Sequence, residues 1–558
     1  MIEHLTYQQL ASALRSIPES SLDFILLAAG RDKPEVWKAH IEGAARALRP
    51  GGMLFVQGTP ENLPEIGVHA ERHLRFKYWI AVESILQRTR LLPSSHAGVL
   101  MFVKGDAFRI SKVRVPHQAC RACGKNLKDW GGKSHLMHPE GTAISDVWRD
   151  LPPMDNYSGL SRPALERLLA MVSPTGQPAD AARLDGWISP IERIGQTDMP
   201  CCAESQQPYL PLVLQAETTP QVHACSDVPQ SCVIQGDAAH VLAKLPDESV
   251  DLVFADPPYN LDKAYATYDD ELEQQAYLQW CESWLAEYVR VLKPSGSLFL
   301  LNLPRWAMHH AAFLNRHLYF QNWIVWDAMS EPRGKIMPAH YALLFYTKRP
   351  IGFTFNYDAV SPIDARGYCL RASCIRQRKA HGDDDKEPLT DIWWDIHRIK
   401  HRRDRDHHPC QLPDALMERI IRLSTNPGDL VLDALAGTGT TALAAARLGR
   451  RYIAIDLDPN YVALMREKLK QVEVWGEVPR APTRRLPKPY SKRALQLELR
   501  QIAEQLGRLP TPEDVRRLSR FDLELFQRAF PTWGKALKAA KLVANVSSTH
   551  ASQKAHLR

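Results

Sequence analysis

The sequence predicts an α/β fold built twice, with a largely parallel sheet in each half, followed by a small helical module. Three observations predict it. Short apolar runs alternate with helical stretches. Four segments of the first half reappear in the second. A proline-rich break then separates this body from a basic, helix-patterned tail.

The repeat sets the domain plan. Pro18-Glu19-Ser20-Ser21-Leu22-Asp23-Phe24-Ile25 parallels Pro246-Asp247-Glu248-Ser249-Val250-Asp251-Leu252-Val253. Leu48-Arg49-Pro50-Gly51-Gly52-Met53-Leu54-Phe55 parallels Leu292-Lys293-Pro294-Ser295-Gly296-Ser297-Leu298-Phe299. His73-Leu74-Arg75-Phe76, then Trp79-Ile80, parallel His317-Leu318-Tyr319-Phe320, then Trp323-Ile324. Ser145-Asp146-Val147-Trp148 parallels Thr390-Asp391-Ile392-Trp393. Residues 1–195 are therefore read as one copy and 231–475 as the other, joined by a linker, 196–230, rich in Pro, Gln, Thr and Ser.

Within the second copy, Val250–Ala255 and Ser297–Asn302 read as buried strands. Glu271–Leu292 reads as a helix that ends at Lys293-Pro294. Leu430–Ala434 and Tyr452–Asp456 are further strands, with helix Thr440–Leu448 between them. Residues 476–490, with four prolines in Gly476–Pro489, form a second linker. Helices are then expected at Lys492–Gly507, Pro512–Leu518, Phe521–Phe530 and Trp533–Leu542, within a module spanning 491–545; 546–558 read as a disordered tail.

A chain of 558 residues exceeds one core, and 45% hydrophobic with 24% charged residues is an ordinary soluble composition. No apolar run approaches the roughly 20 residues that span a bilayer. Met1-Ile2-Glu3-His4 lacks the layout of a signal peptide, so a cytoplasmic protein with no membrane partner is expected. Ten cysteines are too dilute for a disulfide scaffold and read as free thiols or metal ligands. The net charge of +7 is uneven: Pro479–Arg558 carries 17 Lys/Arg against 6 Asp/Glu. Such a tail is either a nucleic-acid contact element or a solvated, partly disordered segment.

Two motifs carry chemistry. Asp256-Pro257-Pro258-Tyr259 follows the strand Val250–Ala255. An exocyclic base amine is a poor nucleophile because its lone pair is delocalised into the ring. The Asp256 carboxylate and the Pro257 carbonyl are two acceptors that can favour the pyramidal nitrogen. The consecutive prolines stiffen the loop, and Tyr259 offers a face on which an extruded base can stack. The alternative is a plain proline-rich turn. Leu430-Val431-Leu432-Asp433-Ala434-Leu435-Ala436-Gly437-Thr438-Gly439-Thr440-Thr441 is a strand running into a glycine loop that opens a helix. Glycines admit close backbone approach, and a helix N-terminus favours a carboxylate. Asp456 ends the next strand and suits ribose hydroxyls. His408-Pro409-Cys410-Gln411-Leu412-Pro413 is by itself only a helix-start signal before Asp414–Ser424.

Taken in this order, Asp256–Tyr259, His408–Pro413 and Asp433–Thr441 resemble the β class of DNA amino-methyltransferases, over roughly Ser231–Gln471. The resemblance implies a Rossmann-like methyltransferase fold dependent on S-adenosylmethionine. It implies that Gly437, Gly439 and Thr440, with Asp433 and Thr441 beside them, surround the methionine part of that cofactor. Asp456 would bind its ribose, Asp237 of Gln235-Gly236-Asp237 its adenine side, and His408, Gln411 and Pro413 would line the same site. Where the family has Pro-Phe after the loop aspartate, this chain has Ala434-Leu435, a change in packing near the cofactor. The implied reaction is methylation of adenine in DNA. The rival readings are cytosine-N4 methylation, an RNA target, and a non-catalytic DNA-binding protein on the same fold. A cognate restriction or phage-defence system is an implied partner. Target recognition is expected within residues 350–408.

The first copy lacks the site. Ala28-Ala29-Gly30-Arg31 stands where Asp256–Tyr259 stands, and no glycine loop follows Ser173-Pro174-Thr175-Gly176. It reads as a degenerate, catalytically dead copy, so the chain is expected to be a monomer with an internal pseudo-dimer; a structural buttress is the alternative. Cys120-Arg121-Ala122-Cys123-Gly124 and Cys369-Leu370-Arg371-Ala372-Ser373-Cys374 occupy corresponding regions of the two copies. They are read as the four ligands of one zinc, with His135 and His138 as alternative partners for Cys120 and Cys123, and two unrelated thiol pairs as the other possibility. His397-Arg398-Ile399-Lys400-His401-Arg402-Arg403-Asp404-Arg405 is a basic run suited to phosphates. Leu499–Leu542 resembles the small helical repeat associated with homing endonucleases, through Ala503–Thr511 and Phe530–Leu537. It would leave Arg516, Arg517, Arg520 and Lys538 for phosphates.

Overall fold

The computed structural model describes residues 7–188, 231–472 and 492–542, except 88–90, 128–136, 154–158, 175, 177–184, 262–270, 329–334, 365–366, 370, 381–385, 400–410, 520, 522, 531 and 541. Both expected linkers, His408, His135, Arg520 and most of the basic run therefore lie outside the described residues. Contacts divide the chain into two compact units, Met1–Val478 and Pro479–Arg558.

The first unit holds two large sheets. The elements of the first half are α1 (Tyr7–Ser16), β1 (Leu22–Gly30), α2 (Pro34–Ala47), β2 (Leu48–Gly58), α3 (Leu63–Ala70), β3 (Arg75–Gln87), β4 (Ser94–Val103), β5 (Arg114–Val115), β6 (Thr142–Ala143), β7 (Val147–Trp148), α4 (Arg162–Val172) and β8 (Gly186–Ile188). Those that follow are β9 (Cys232–Gln235), α5 (Ala238–Leu242), β10 (Val250–Ala255), α6 (Gln274–Val291), β11 (Leu292–Asn302), α7 (Pro304–Leu314), β12 (Tyr319–Asp327), β13 (His340–Thr347), β14 (Ile363–Asp364), α8 (Ala372–Ala380), β15 (Lys386–Glu387), β16 (Ile392–Trp393), α9 (Asp414–Ser424), β17 (Leu430–Asp433), α10 (Thr440–Arg447), β18 (Arg451–Asp456) and α11 (Pro459–Lys470). The strands expected from apolar runs and the helices expected from periodicity all appear, with ends shifted by up to three residues except for β11, which begins five residues before the expected Ser297.

The second sheet runs β16-β12-β13-β11-β10-β17-β18-β9. Successive residues of β10 alternate between its faces: Val253 and Ala255 join the core that includes α6 and α7, while Leu252 and Phe254 join the core that includes α9 and α10. Both faces are thus covered, which is why β10 reads as a continuous apolar run. The sheet is mixed rather than wholly parallel, because β13 is antiparallel to both neighbours. The chain returns from β12 to β13 in the opposite sense.

The first sheet runs β7-β3-β4-β2-β1-β8, the same order and the same strand senses as the first six strands of the second. Even the irregularity is shared: β1 pairs Leu22 with Leu48 and then Phe24 with Met53, as β10 pairs Val250 with Leu292 and then Leu252 with Ser297. The counterparts of β18 and β9 are absent from it among the described residues.

Equivalent parts of the two halves face one another. Trp79 and Trp323 stack, ring centroids 3.7 Å apart and planes within 12°. The Asp146 amide donates to the Met337 carbonyl, and the Asp391 amide to the Pro93 carbonyl, each at 3.1 Å. Asp146 Oδ1 accepts from the amides of Ala339 and His340; Asp391 Oδ1 accepts from the amide and hydroxyl of Ser95. Helix α3 packs on α7, and a Cβ on Gly67 would lie 2.1 Å from Met308 Sδ, so the helices meet only because residue 67 has no side chain. Buried His340 is held down to about 3, by burial first and then by His96. It is neutral, accepting from the Trp323 indole and facing the Trp79 carbonyl.

The second unit contains α12 (Lys492–Leu506), α13 (Pro512–Leu518), α14 (Leu523–Ala529) and α15 (Trp533–Ala539) around a core of Leu495, Leu499, Ile502, Val515, Phe526 and Phe530. Thr511 and Asp514 form a reciprocal capping box on α13, and Arg508 makes a bidentate pair with Asp514. No described helix is long and apolar enough to cross a membrane.

Candidate active site

In an open α/β sheet, ligands sit at the carboxyl ends of the strands where the strand order reverses. Here that point lies between β10 and β17: the chain leaves β10 toward β11 and later returns to its other side. A cleft opens there, lined by Gly236, Asp237, Asp256, Pro257, Pro258, Tyr259, Gln411, Leu412, Asp433, Gly437, Thr440, Thr441 and Asp456, with Phe254, Trp280, Leu435, Leu457 and Tyr461 supplying much of its apolar wall. Its empty volume is about 1090 Å³, part of it open to solvent. It holds both chemistry-bearing motifs, contributed by four different strand ends.

The Asp256–Tyr259 loop is pinned by side chains from elsewhere. Tyr277 Oη donates to the Pro258 carbonyl at 2.8 Å and itself accepts from Asn302 at 3.1 Å. The Trp306 indole donates to the Tyr259 carbonyl at 2.8 Å. Asn260, at φ +52°, bonds both the amide and the carbonyl of Leu272 and so closes the loop that follows. Tyr259 is only 4% exposed yet lines the cleft, and it donates its hydroxyl to Asp256 Oδ1 at 2.8 Å, so it also orients the carboxylate.

Asp433, fully buried, accepts from Thr441 Oγ1 at 2.6 Å and from the Leu435 amide at 3.0 Å. Burial pushes its carboxyl up to about 7 against those two hydrogen bonds. Asp456 accepts from the Gly437 amide at 2.7 Å and the Asp458 amide at 2.8 Å; burial, again the leading cause, pushes it up to about 6. Tyr288 Oη accepts from the Ala434 amide and lies 3.4 Å from the Phe254 carbonyl, joining the ends of β10 and β17.

Not every expected cofactor residue faces the cleft. Gly439, at φ +84°, does not line it; a Cβ there would lie 2.4 Å from Met465 Cγ, so this glycine lets α10 start against α11. Pro413 is buried and caps α9, where Leu412 and Gln411 turn inward instead. Asp237 lines the cleft but spends one carboxylate oxygen capping α5 through the His240 amide. Leu435, at the position where the resembled family has phenylalanine, remains part of the apolar wall. The residues that hold the loop, Tyr277, Tyr288, Asn302 and Trp306, carry no motif of their own.

A family model described as DNA methylase matches residues 250–467. Over 244 residues, 42% of this chain, the sequence is 37% identical to the Type II methyltransferase M.BamHI of Bacillus amyloliquefaciens, spanning 56% of that protein. It is 34% identical to the Type II methyltransferase M.HpaI of Haemophilus parainfluenzae and to the DNA adenine methyltransferase YhdJ of Escherichia coli strain K12. Each of those alignments covers 42% of this chain, with 73% and 80% of the respective relatives. The chain belongs to the DNA methylase family. Residues 490–543 of this family member also match the homing endonuclease associated repeat.

The family's cofactor is S-adenosylmethionine, and the cleft fits it. Asp456 supplies carboxylate lone pairs for a ribose diol. The amides opening α10, an eight-residue helix, suit an amino-acid carboxylate. The apolar wall of Phe254, Leu435, Leu457 and Tyr461 suits a purine.

Proposed function

We propose that the protein methylates N6 of adenine in duplex DNA. The observation that carries this reading is the Asp256 carboxylate, held by Tyr259 on a pinned proline loop at the edge of the cofactor cleft. When bound, S-adenosylmethionine supplies a methyl group on a positively charged sulfur. The chain's own part is to prepare the amine. Asp256 and the Pro257 carbonyl accept the two N–H bonds of an extruded base, favour the pyramidal nitrogen, and the surplus proton passes to the Asp256 carboxylate. A loop already fixed by Tyr277 and Trp306 needs little reorganisation as charge moves. The 34% identity to an adenine methyltransferase supports adenine over cytosine.

The first half is read as an inert second copy, set against the catalytic half like the partner in a two-fold dimer, so that the chain acts as a monomer. Matching strand order and register, and the reciprocal bonds of Asp146 and Asp391, support this. Arg31 stands at the end of β1 and donates to Gln87, where the catalytic half has its acidic loop. Base readout is assigned to residues 350–408 and the inert half. Phosphate contact is assigned to the second unit, where Arg516, Arg517 and Lys538 are exposed. A cytoplasmic setting and a cognate restriction or phage-defence system are part of this reading; the Type II naming of two relatives supports the second.

The test is transfer of tritiated methyl to duplex DNA, with the modified nucleoside identified after digestion and RNA as a parallel substrate. Asp256→Ala is expected to lose about 100-fold or more of the transfer rate while cofactor binding by calorimetry is retained. Transfer within a few-fold of wild type refutes the role of Asp256. Release of N4-methylcytosine refutes the target.

A further inference from the structure

We propose that Cys120, Cys123, Cys369 and Cys374 bind one zinc ion that staples the two halves of the first unit together. The four sulfurs lie within 4.8 Å of one another, two from each half. Cys120 Sγ is 3.6 Å from Cys374 Sγ, and Cys123 Sγ is 3.7 Å from Cys369 Sγ. A disulfide needs about 2.05 Å, so these are not bonded pairs. A tetrahedral site with Zn–S of about 2.3 Å has S–S edges of about 3.8 Å, close to both separations.

The backbone is shaped for a ligand as well. In the turn Cys120–Gly124, the Gly124 amide donates to the Cys120 carbonyl at 2.9 Å. Gly124 sits at φ +66°, a conformation that other residues adopt at a cost. The Cys120 amide donates to the Lys125 carbonyl, and the Cys369 amide donates to Cys120 Sγ at 3.3 Å. Cys374 lies in the first turn of α8. Cys120, Cys369 and Cys374 are each no more than 3% exposed. Four thiolates on zinc leave a net charge of −2. The buried Arg378, which donates to the Cys369 carbonyl and lies 4.5 Å from the Tyr368 ring centroid, supplies opposite charge. The thiol donors select a soft divalent ion over calcium or magnesium.

Further contacts beside the cluster cross between the halves: the Arg121 amide donates to the Gly367 carbonyl, and Arg371 to the Asn126 carbonyl. This seam lacks the broad apolar packing found around Trp79 and Trp323; its small core is the cysteines with Ala122, Leu127 and Tyr368. The metal therefore supplies the cohesion there, and it fixes the segment 363–380 to the first half.

The full chain, purified without added metal, is expected to contain one zinc per molecule by elemental analysis, released when a mercurial reagent titrates four thiols. Cobalt(II) in its place should give the visible bands of tetrahedral thiolate coordination. Cys374→His should keep the ion and move those bands; Cys369→Ser with Cys374→Ser should lose it. A folded, metal-free protein with four reactive thiols overturns the proposal. So do two disulfides by non-reducing mass spectrometry, iron in the site, or zinc retained in the double serine variant.

Discussion

At the level of single residues, the acids in the cleft are set apart by their surroundings. Asp456 accepts from two backbone amides, and we assign it the sugar hydroxyls of the cofactor as well. Its carboxyl is pushed up to about 6, so it is an anion above that pH and neutral below. The anion is the better acceptor. The Asp456 contribution to cofactor affinity should therefore fall as the pH drops through 6, by up to about tenfold per unit, below the range near 7 in which Asp433 changes charge. Calorimetric titrations from pH 5 to 8 measure this. Asp456→Asn should bind more weakly at pH 8 and lose most of the slope; an unchanged slope would place the titrating group elsewhere. The acids themselves were legible in the sequence, because strand, glycine loop, helix, strand and acid form one local pattern. Their support was not. Tyr277 and Tyr288 reach the loop from α6, and Trp306 from α7, through packing that adjacent residues do not encode.

At the level of elements, the glycine loop separates conformation from contact. The sequence marks Gly437 and Gly439 alike, and both take positive φ, +51° and +84°. Gly437 faces the cleft, while Gly439, two residues on and at the start of α10, faces Met465. Gly439→Ala should therefore destabilise the protein on two counts, by about 1–3 kcal/mol. One count is backbone strain; the other is overlap with Met465. Adding Met465→Ala should relieve the second and leave about 1 kcal/mol, read as urea midpoints of the four proteins in a double-mutant cycle. Strict additivity would show that Met465 is not the obstacle. The same limit explains Pro413: a motif gives residue types near a site, and only the start of α9 decides that Leu412 turns inward. The buried strands were legible further than the motif, because the apolar runs of β10, β11 and β17 record burial on both faces, but their order in the sheet was not.

At the level of the whole molecule, two sheets of matching order carry one acidic loop between them. A symmetric pair of active subunits would methylate both strands of a palindrome. A chain with one active half should modify one strand per binding event. Methylation of a duplex under single-turnover conditions, read strand by strand, is the measurement, and methylation of both strands in one binding event would sink the inert-half reading. The repeated Ser145–Trp148 and Thr390–Trp393 segments foretold equivalent places but not that each aspartate would bind the opposite half. The stacked Trp79 and Trp323, and the bonds of Asp146 and Asp391, join parts of one polypeptide. Between separate chains, such contacts would obey mass action and their occupancy would fall on dilution. Within one chain, the interface forms in a first-order step at a fixed effective concentration. A cell that makes only a few copies should therefore hold each with this interface already formed, and we expect specific activity in vitro to stay constant as the protein is diluted.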